Sequence, residues 1–117
     1  MKDFVSLNQN AEFRRLYKRG KSCVRKNLVL YAMRNRSGQN RLGITVGKKV
    51  GGAVVRNRAK RRLRALYQIN VPRLQPGYDV CLVARGQTAK AEFCHLQQDF
   101  LSACKYVGIW NDEVVAD

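Results

Sequence analysis

The strongest constraint on this chain is the charge of residues 13–78, which include 19 lysines and arginines and no acidic residue. Residues 79–117 carry six acids and three bases, and residues 1–12 carry two acids and one base. The positive field therefore belongs to the first two thirds of the chain. This distribution predicts a fold with a basic binding face and a mildly acidic back.

Size and composition favour one folded domain. The 117 residues fall within the usual range of a single domain, with little material for a second core. A hydrophobic share of 45% argues against wholesale disorder. The net charge of +15 exceeds what solubility needs and points to a polyanionic partner. We therefore interpret residues 1–117 as a single nucleic-acid-binding domain.

Several other classes of protein are disfavoured. No apolar run approaches the ~20 residues that a membrane-spanning helix needs, and residues 1–10 lack the apolar core of a signal peptide. We expect a cytoplasmic protein with no membrane partner. The cysteines show no C-x-x-C pair and no paired Cys/His spacing, and three of them lie in apolar patterns, so reduced thiols are expected rather than disulfides or zinc ligands. They are Cys23, Cys81, Cys94 and Cys104.

The first half of the chain predicts a helix followed by two strands. The helix is short, with Asn8 or Asn10 as its cap and Gly20 as its end. Residues 27–33 and 41–47 are strand candidates separated by a polar turn. We expect these two strands to pair as an antiparallel hairpin.

The second half predicts a long helix, a buried strand and a final helix. The long helix covers residues 53–69, and the nearly continuous apolar run of residues 78–84 is typical of a strand covered on both faces. The last helix carries a single apolar stripe at helical spacing, which we expect to cover the sheet. The stripe consists of Ala89, Phe93, Leu96, Phe100, Cys104 and Val107.

Residues 48–64 carry eight basic residues and no acid. On a helical wheel, Val55, Ala59 and Leu63 share one side with Leu66, and the basic residues occupy the opposite side and its flanks. A solvated helix face normally mixes charges of both signs, because like charges at i, i+4 repel each other. The run therefore favours a polyanion, and its many arginines suit structured RNA.

Three aromatic residues in the first helix and the first strand candidate are candidate contacts for nucleic-acid bases, and the helix neighbours of two of them are basic. Phe13 and Tyr17 are one turn apart in the first helix, and Tyr31 lies in the first strand candidate. If helix and sheet line one groove, these rings could stack on unpaired bases. Alternatively they fill the core, which the pattern favours for Phe13 and leaves evenly balanced for the two tyrosines.

No protein-borne catalytic centre is evident. Metal-dependent phosphodiester cleavage needs clustered carboxylates, and residues 13–78 have none. His95 follows Cys94 directly, and adjacent helical positions point about 100° apart. We therefore interpret His95 as structural and expect no catalytic or metal-binding residue in the protein.

The basic segment also resembles a known signature. Residues 43–55 (GITVGKKVGGAVV) precede the triplet Arg56-Asn57-Arg58, and residues 59–61 (AKR) follow it. This sequence is similar to the signature of the bacterial ribonuclease P protein subunit. The resemblance covers most of the chain in order, through residues 10–13, 19–20, 28–31, 78–85 and the closing amphipathic helix.

The resemblance implies a fold and a function. The implied fold is a small α/β (α+β) sandwich with about four strands in a mixed sheet, three helices and a left-handed βαβ crossover around the arginine-rich helix. In that family a large catalytic RNA uses Mg²⁺ to cut the 5′ leader from precursor tRNA, and the RNA, not the protein, holds the metal. The implied partners are the ribonuclease P RNA and precursor tRNA, with one protein for each catalytic RNA.

Site residues are implied by position. Residues that would face the catalytic RNA are Lys48, Lys49, Arg56, Asn57, Arg58, Lys60, Arg61, Arg62 and Arg64. Residues that would line the leader cleft are Phe13, Tyr17, Arg19 and Tyr31. Two other functions stay open: a general RNA-binding or ribosomal-type protein, and a DNA-binding regulator with residues 53–69 as its recognition helix.

Overall fold

A mixed sheet with helices on both faces organises the chain. The computed structural model describes residues 4–112, which form three α-helices and five strands. The helices are α1 (Asn10–Arg19), α2 (Ala53–Asn70) and α3 (Phe93–Val107). The strands are β1 (Val5–Ser6), β2 (Lys21–Val24), β3 (Leu28–Arg34), β4 (Arg41–Thr45) and β5 (Tyr78–Ala84), in the order β1-β4-β5-β3-β2. Among these residues no helix is long and apolar enough to cross a membrane.

The predicted hairpin is wrong. Strand β5 lies between β3 and β4 and pairs antiparallel with β3 and parallel with β4. Four consecutive residues of β5, residues 79–82, are buried. A strand with apolar groups on both faces needs neighbours on both edges and cover on both sides, so it takes the centre of the sheet and separates the two strands that precede it.

The expected fold class is confirmed, with five strands rather than about four. Strands β1 and β2 were not predicted from the sequence pattern. They have two and four residues, too few to show a periodic pattern. Parallel strands β4 and β5 are joined through α2, as a crossover connection requires. The left hand of that crossover stays a prediction.

The two faces of the sheet are covered unequally. Leu30 and Leu82 belong to a large core under α2 and α3. On the other face, Cys81 packs with Leu16 of α1 in a smaller cluster, and Tyr31 is only partly buried there. Because α1 has ten residues, it leaves part of this face open.

The helix ends agree in part with the predictions. Helix α1 begins at Asn10 with Gln9 as its N-cap, so neither predicted asparagine caps it. It does end at Gly20, where a Cβ atom would lie 2.5 Å from the carbonyl oxygen of Leu16. Helix α2 has the predicted start and extends one residue further, to Asn70. Helix α3 starts later than the apolar stripe suggests, because Ala89 lies in the loop before it.

The four thiols are free, and three of them are buried, as expected. Cys94 is the exposed one. His95 is exposed as well, so its expected structural role does not include filling the core.

Replacement of Tyr67 by phenylalanine should stabilise the protein. The side chain is fully buried between Phe4 and Phe100, and its hydroxyl has no hydrogen-bond partner within residues 4–112. Burying an unpaired polar group costs roughly 1–3 kcal/mol. We expect Tyr67→Phe to raise the free energy of unfolding in urea by about 1 kcal/mol, and Tyr106→Phe, at an exposed tyrosine, to leave it unchanged. A clear loss of stability in Tyr67→Phe would contradict the assignment of an unpaired hydroxyl.

Candidate nucleic-acid interface

Most lysines and arginines of residues 13–78 have no carboxylate partner among the residues that the structure describes. Within residues 4–112, the ion pairs are those of Arg41 with Glu12 and with Asp79, each at 2.7 Å. The other basic side chains between residues 13 and 78 are not neutralised by an ion pair in the described structure. The folded chain therefore keeps the strongly positive surface that the sequence predicts.

Helix α2 places its basic residues as the helical wheel predicts. Ala59, Leu63 and Leu66 are fully buried against the sheet. Among its polar residues, Asn57, Arg58, Lys60, Arg61 and Gln68 are exposed, whereas Arg56, Arg62 and Arg64 are half-buried. The polar side of the helix is thus a cationic surface fixed to the core by its apolar side.

Lys48 and Lys49 lie in an exposed 3₁₀ turn directly before α2. The turn ends at Gly51, whose φ of 150° is unfavourable for other residues. A Cβ atom there would also approach Cβ of Val55 to 2.9 Å. The glycine allows the chain to enter α2 so that the two lysines continue the cationic surface of the helix.

Two of the predicted RNA-binding arginines make structural contacts. Arg58 Nε donates a hydrogen bond to the carbonyl oxygen of Ala89 at 2.8 Å. Arg62 donates to the carbonyl oxygens of Thr88, at 2.8 Å, and Ala91. Burial, and then repulsion from Arg58, lower the pKa of Arg62. These two arginines hold the loop between β5 and α3, a structural role that the sequence did not indicate.

A groove of about 340 Å³ runs between α2 and β4. Arg56, Asn57 and Lys60 line it from the helix, and Ile44 and Val46 line it from the strand side. Arg56 is half-buried, and its Nε has no hydrogen-bond partner in the described part of the chain. The groove offers both cations and apolar surface to a ligand.

The three predicted aromatic residues form one cluster on the other face of the sheet. The ring centroids of Tyr17 and Tyr31 are 4.9 Å apart in an edge-on arrangement, and those of Phe13 and Tyr17 are 6.3 Å apart. Tyr17 is 39% exposed, and the other two rings are partly buried. The rings therefore combine packing with an accessible aromatic surface. Arg19 lies exposed in the last turn of the same helix.

Neighbouring strands fix this cluster through contacts that the sequence did not reveal. The hydroxyl of Tyr17 lies 2.6 Å from Oγ1 of Thr45 and 3.5 Å from Sγ of Cys81. Burial raises the pKa of Tyr17 to about 12, so the hydroxyl stays protonated at neutral pH. The ring of Phe13 lies against Gly43, where an added Cβ would approach it to 2.5 Å. Gly43 therefore gives α1 its close approach to the sheet.

Arg41 anchors α1 to the sheet. Its Nε and NH2 groups donate to both carboxylate oxygens of Asp79 at 2.7 Å, and NH1 donates to Glu12 of α1. Asp79 is 3% exposed and also accepts a hydrogen bond from Asn35. Glu12 and Asp79 lie directly before and after the acid-free residues 13–78, and this placement is the only signal in the sequence for their pairing with Arg41.

Metal-ligating side chains come together elsewhere. Glu92, Cys94 and His95 have ligand atoms within 4.8 Å of one another at the exposed start of α3. The group includes none of the predicted RNA-binding residues. Within residues 4–112, no other three His, Cys, Asp or Glu residues are grouped in this way.

Comparisons with known proteins identify the family. A family model described as Ribonuclease P matches residues 1–108. The ribonuclease P protein component of Natranaerobius thermophilus is 40% identical over 115 residues, which cover 98% of this chain and all of the relative. That of Clostridium botulinum is 40% identical over 106 residues, or 90% of this chain and 96% of the relative. The chain belongs to the ribonuclease P protein family.

Solved structures of ribonuclease P proteins have the same fold. The Staphylococcus aureus protein superposes with a TM-score of 0.79 at 30% identity, covering 91% of this chain and 97% of that one. The Thermotoga maritima protein gives 0.74 at 27% identity, covering 83% and 92%. Membership in the ribonuclease P family assigns the chain to a tRNA-processing holoenzyme and gives it an RNA partner.

The different roles of Arg61 and Arg62 can be tested by thermal and urea denaturation. Arg62→Ala removes two charge-assisted hydrogen bonds to loop carbonyls and should lower the free energy of unfolding by about 2 kcal/mol. Arg61 is exposed, so Arg61→Ala should change the free energy of unfolding by less than about 0.5 kcal/mol. Equal stabilities of the two variants would show that Arg62 does not hold the loop.

Proposed function

We propose that α2 binds the catalytic RNA of ribonuclease P and that the aromatic cluster binds the 5′ leader of precursor tRNA, so that the RNA removes the leader in a Mg²⁺-dependent reaction. One protein would act with each catalytic RNA. The single observation that carries the proposal is that a cationic helix surface and an accessible aromatic cluster lie on opposite faces of one sheet. Strand β4 contributes to both, because Ile44 lines the α2 groove and Thr45 contacts Tyr17.

The α2 surface suits a folded RNA. Lys60 and Arg61 are exposed and have no ion-pair partner among the described residues, so phosphate groups would be their natural counterions. An arginine fork can bind two phosphate oxygens at once. The turn with Lys48 and Lys49 extends this surface beyond the end of the helix. The proposed contacts with the catalytic RNA therefore run from this turn along the exposed side of α2.

The aromatic cluster suits a single strand. Unpaired bases stack on aromatic rings irrespective of their sequence, and each stacked base contributes ~1–3 kcal/mol. The rings of Tyr17 and Tyr31 are held by packing and by the Thr45 contact, so little ordering is needed when a base arrives. The leader is the unpaired part of precursor tRNA next to the cleavage site, and we assign it to this cluster.

The cleavage chemistry is proposed to belong to the RNA. A protein site for Mg²⁺ needs carboxylates that are free to bind it. Glu12 and Asp79, the acids nearest the aromatic cluster, are both bound by Arg41. The residues of this surface therefore do not fit the metal, and we derive no protein-borne step through it.

Binding of precursor tRNA by the reconstituted holoenzyme tests the proposed leader site. Tyr31→Leu keeps most of the apolar volume but removes an aromatic face. It should weaken binding of leader-bearing precursor by about 1–3 kcal/mol and leave binding of mature tRNA unchanged. Tyr106→Leu is the matched control, because Tyr106 is 71% exposed on α3, away from the cluster. Equal losses for both substrates in Tyr31→Leu would refute leader stacking.

A further inference from the structure

A second cleft opens at the end of β3, beside the aromatic cluster. It has a volume of about 530 Å³ and is lined by Arg15 of α1, by Arg34 and Arg36 at the end of β3, and by the Arg41–Asp79 pair. We call it the Arg34 cleft. The sequence did not indicate it, and the contacts proposed above do not use it.

The charge of the Arg34 cleft is strongly positive. Four arginines line it against one aspartate. Arg41 already pairs with Asp79, the one acid among the lining residues that the structure describes, and with Glu12. Arg15, Arg34 and Arg36 are exposed and have no ion-pair partner among residues 4–112. Three such arginines among the lining residues of one concavity favour an anionic ligand with several phosphate groups.

The loop that presents these arginines is fixed before any ligand binds. The side-chain amide of Asn35 donates hydrogen bonds to Gln39 O and to Asp79 Oδ1, both at 2.8 Å. Its carbonyl oxygen accepts the backbone N–H of Ser37 at 3.1 Å. Arg34 and Arg36 flank this anchored asparagine. A ligand would therefore meet two arginines on a backbone that is already ordered, which lowers the entropic cost of binding.

The Arg34 cleft continues the surface of the aromatic cluster. Met33 lines the cleft and packs in the same hydrophobic cluster as Tyr31 and Phe13. Tyr31 and Met33 are successive residues on one face of β3, about 7 Å apart. Helix α2 packs on the opposite face of the sheet. RNA that follows the exposed side of α2 would therefore not reach the Arg34 cleft along that side.

The geometry points to the Arg34 cleft as a binding site for phosphodiester groups of the leader, beyond the nucleotides that stack on the aromatic cluster. This inference rests on the proposed leader site and adds a second contact to it. A single strand that leaves the Tyr31 ring along β3 reaches Met33 and then the arginines. Longer leaders would thus gain affinity through charge, without a requirement for particular bases.

The test measures binding of the reconstituted holoenzyme to precursor tRNAs whose leaders are lengthened one nucleotide at a time. The double variant Arg34→Gln/Arg36→Gln should bind short-leader precursor and mature tRNA normally and lose affinity only for the longer leaders. Each lost phosphate contact to a single strand lowers the slope of log K against log salt by ~0.7. At about 0.1 M salt this change corresponds to a roughly fivefold loss of affinity. We therefore expect an affinity loss of about fivefold for one lost contact and about 25-fold for two.

A charge-matched control is Lys26→Gln/Lys105→Gln, which removes two exposed cations on the α3 side of the molecule. It should bind every substrate as the unmodified protein does. An equal loss in the control, or a loss in Arg34→Gln/Arg36→Gln that extends to mature tRNA, would overturn the inference.

Tyr31→Leu on the same leader series separates this inference from the proposed function. If Tyr31→Leu shows a leader-dependent loss and the arginine variant does not, the Arg34 cleft is not a leader site and the aromatic site stands. If neither variant shows a leader-dependent loss, both assignments are wrong.

Discussion

The ion cluster at Arg41 is the contact on which the proposed leader side of the molecule depends. Glu12 and Asp79 border a segment without acids, and both carboxylates bind this one guanidinium. The cluster joins α1 to β4 and β5, and through Asn35 it also fixes the loop after β3. Loss of a partner from a largely buried ion pair is strongly destabilising, so the position of α1 depends on this cluster. Because it uses both acids, the surrounding arginines are left for an external anion.

Strand β4 connects the two proposed RNA surfaces. Alternate residues of a strand point to opposite faces of its sheet. Thr45 therefore holds the Tyr17 hydroxyl on one face, while Ile44 lines the α2 groove on the other. Gly43 adds the close packing of Phe13. The chain then passes through the turn with Lys48 and Lys49 into α2, so the same short segment positions the proposed leader cleft and the start of the cationic helix.

The sequence predicted the elements with long, regular signals and missed those that depend on distant contacts. Helix α2 and strand β5 were predicted almost to the residue, because 18 helical residues and a continuous apolar run leave few alternatives. The pairing of β3 and β4 was not predictable from their own sequences, since β5 displaces the hairpin. The contact between Tyr17 and Cys81 spans 64 positions, and a helical wheel cannot show that Arg62 meets carbonyl groups of a later loop. Residue type and spacing therefore located the surfaces, whereas the fold determined which side chains are free to bind.

In the proposed function, the exposed cations of α2, which have no ion-pair partner among residues 4–112, bind the ribonuclease P RNA through its phosphates. The most direct test is the salt dependence of binding between the protein and that RNA, compared for the unmodified protein and Arg61→Ala. We expect the slope of log K against log salt to fall by ~0.7–0.9 in Arg61→Ala, since one phosphate contact is lost. Lys105→Ala, on α3, should leave the slope unchanged. An unaltered slope in Arg61→Ala would show that this surface of α2 does not face the RNA.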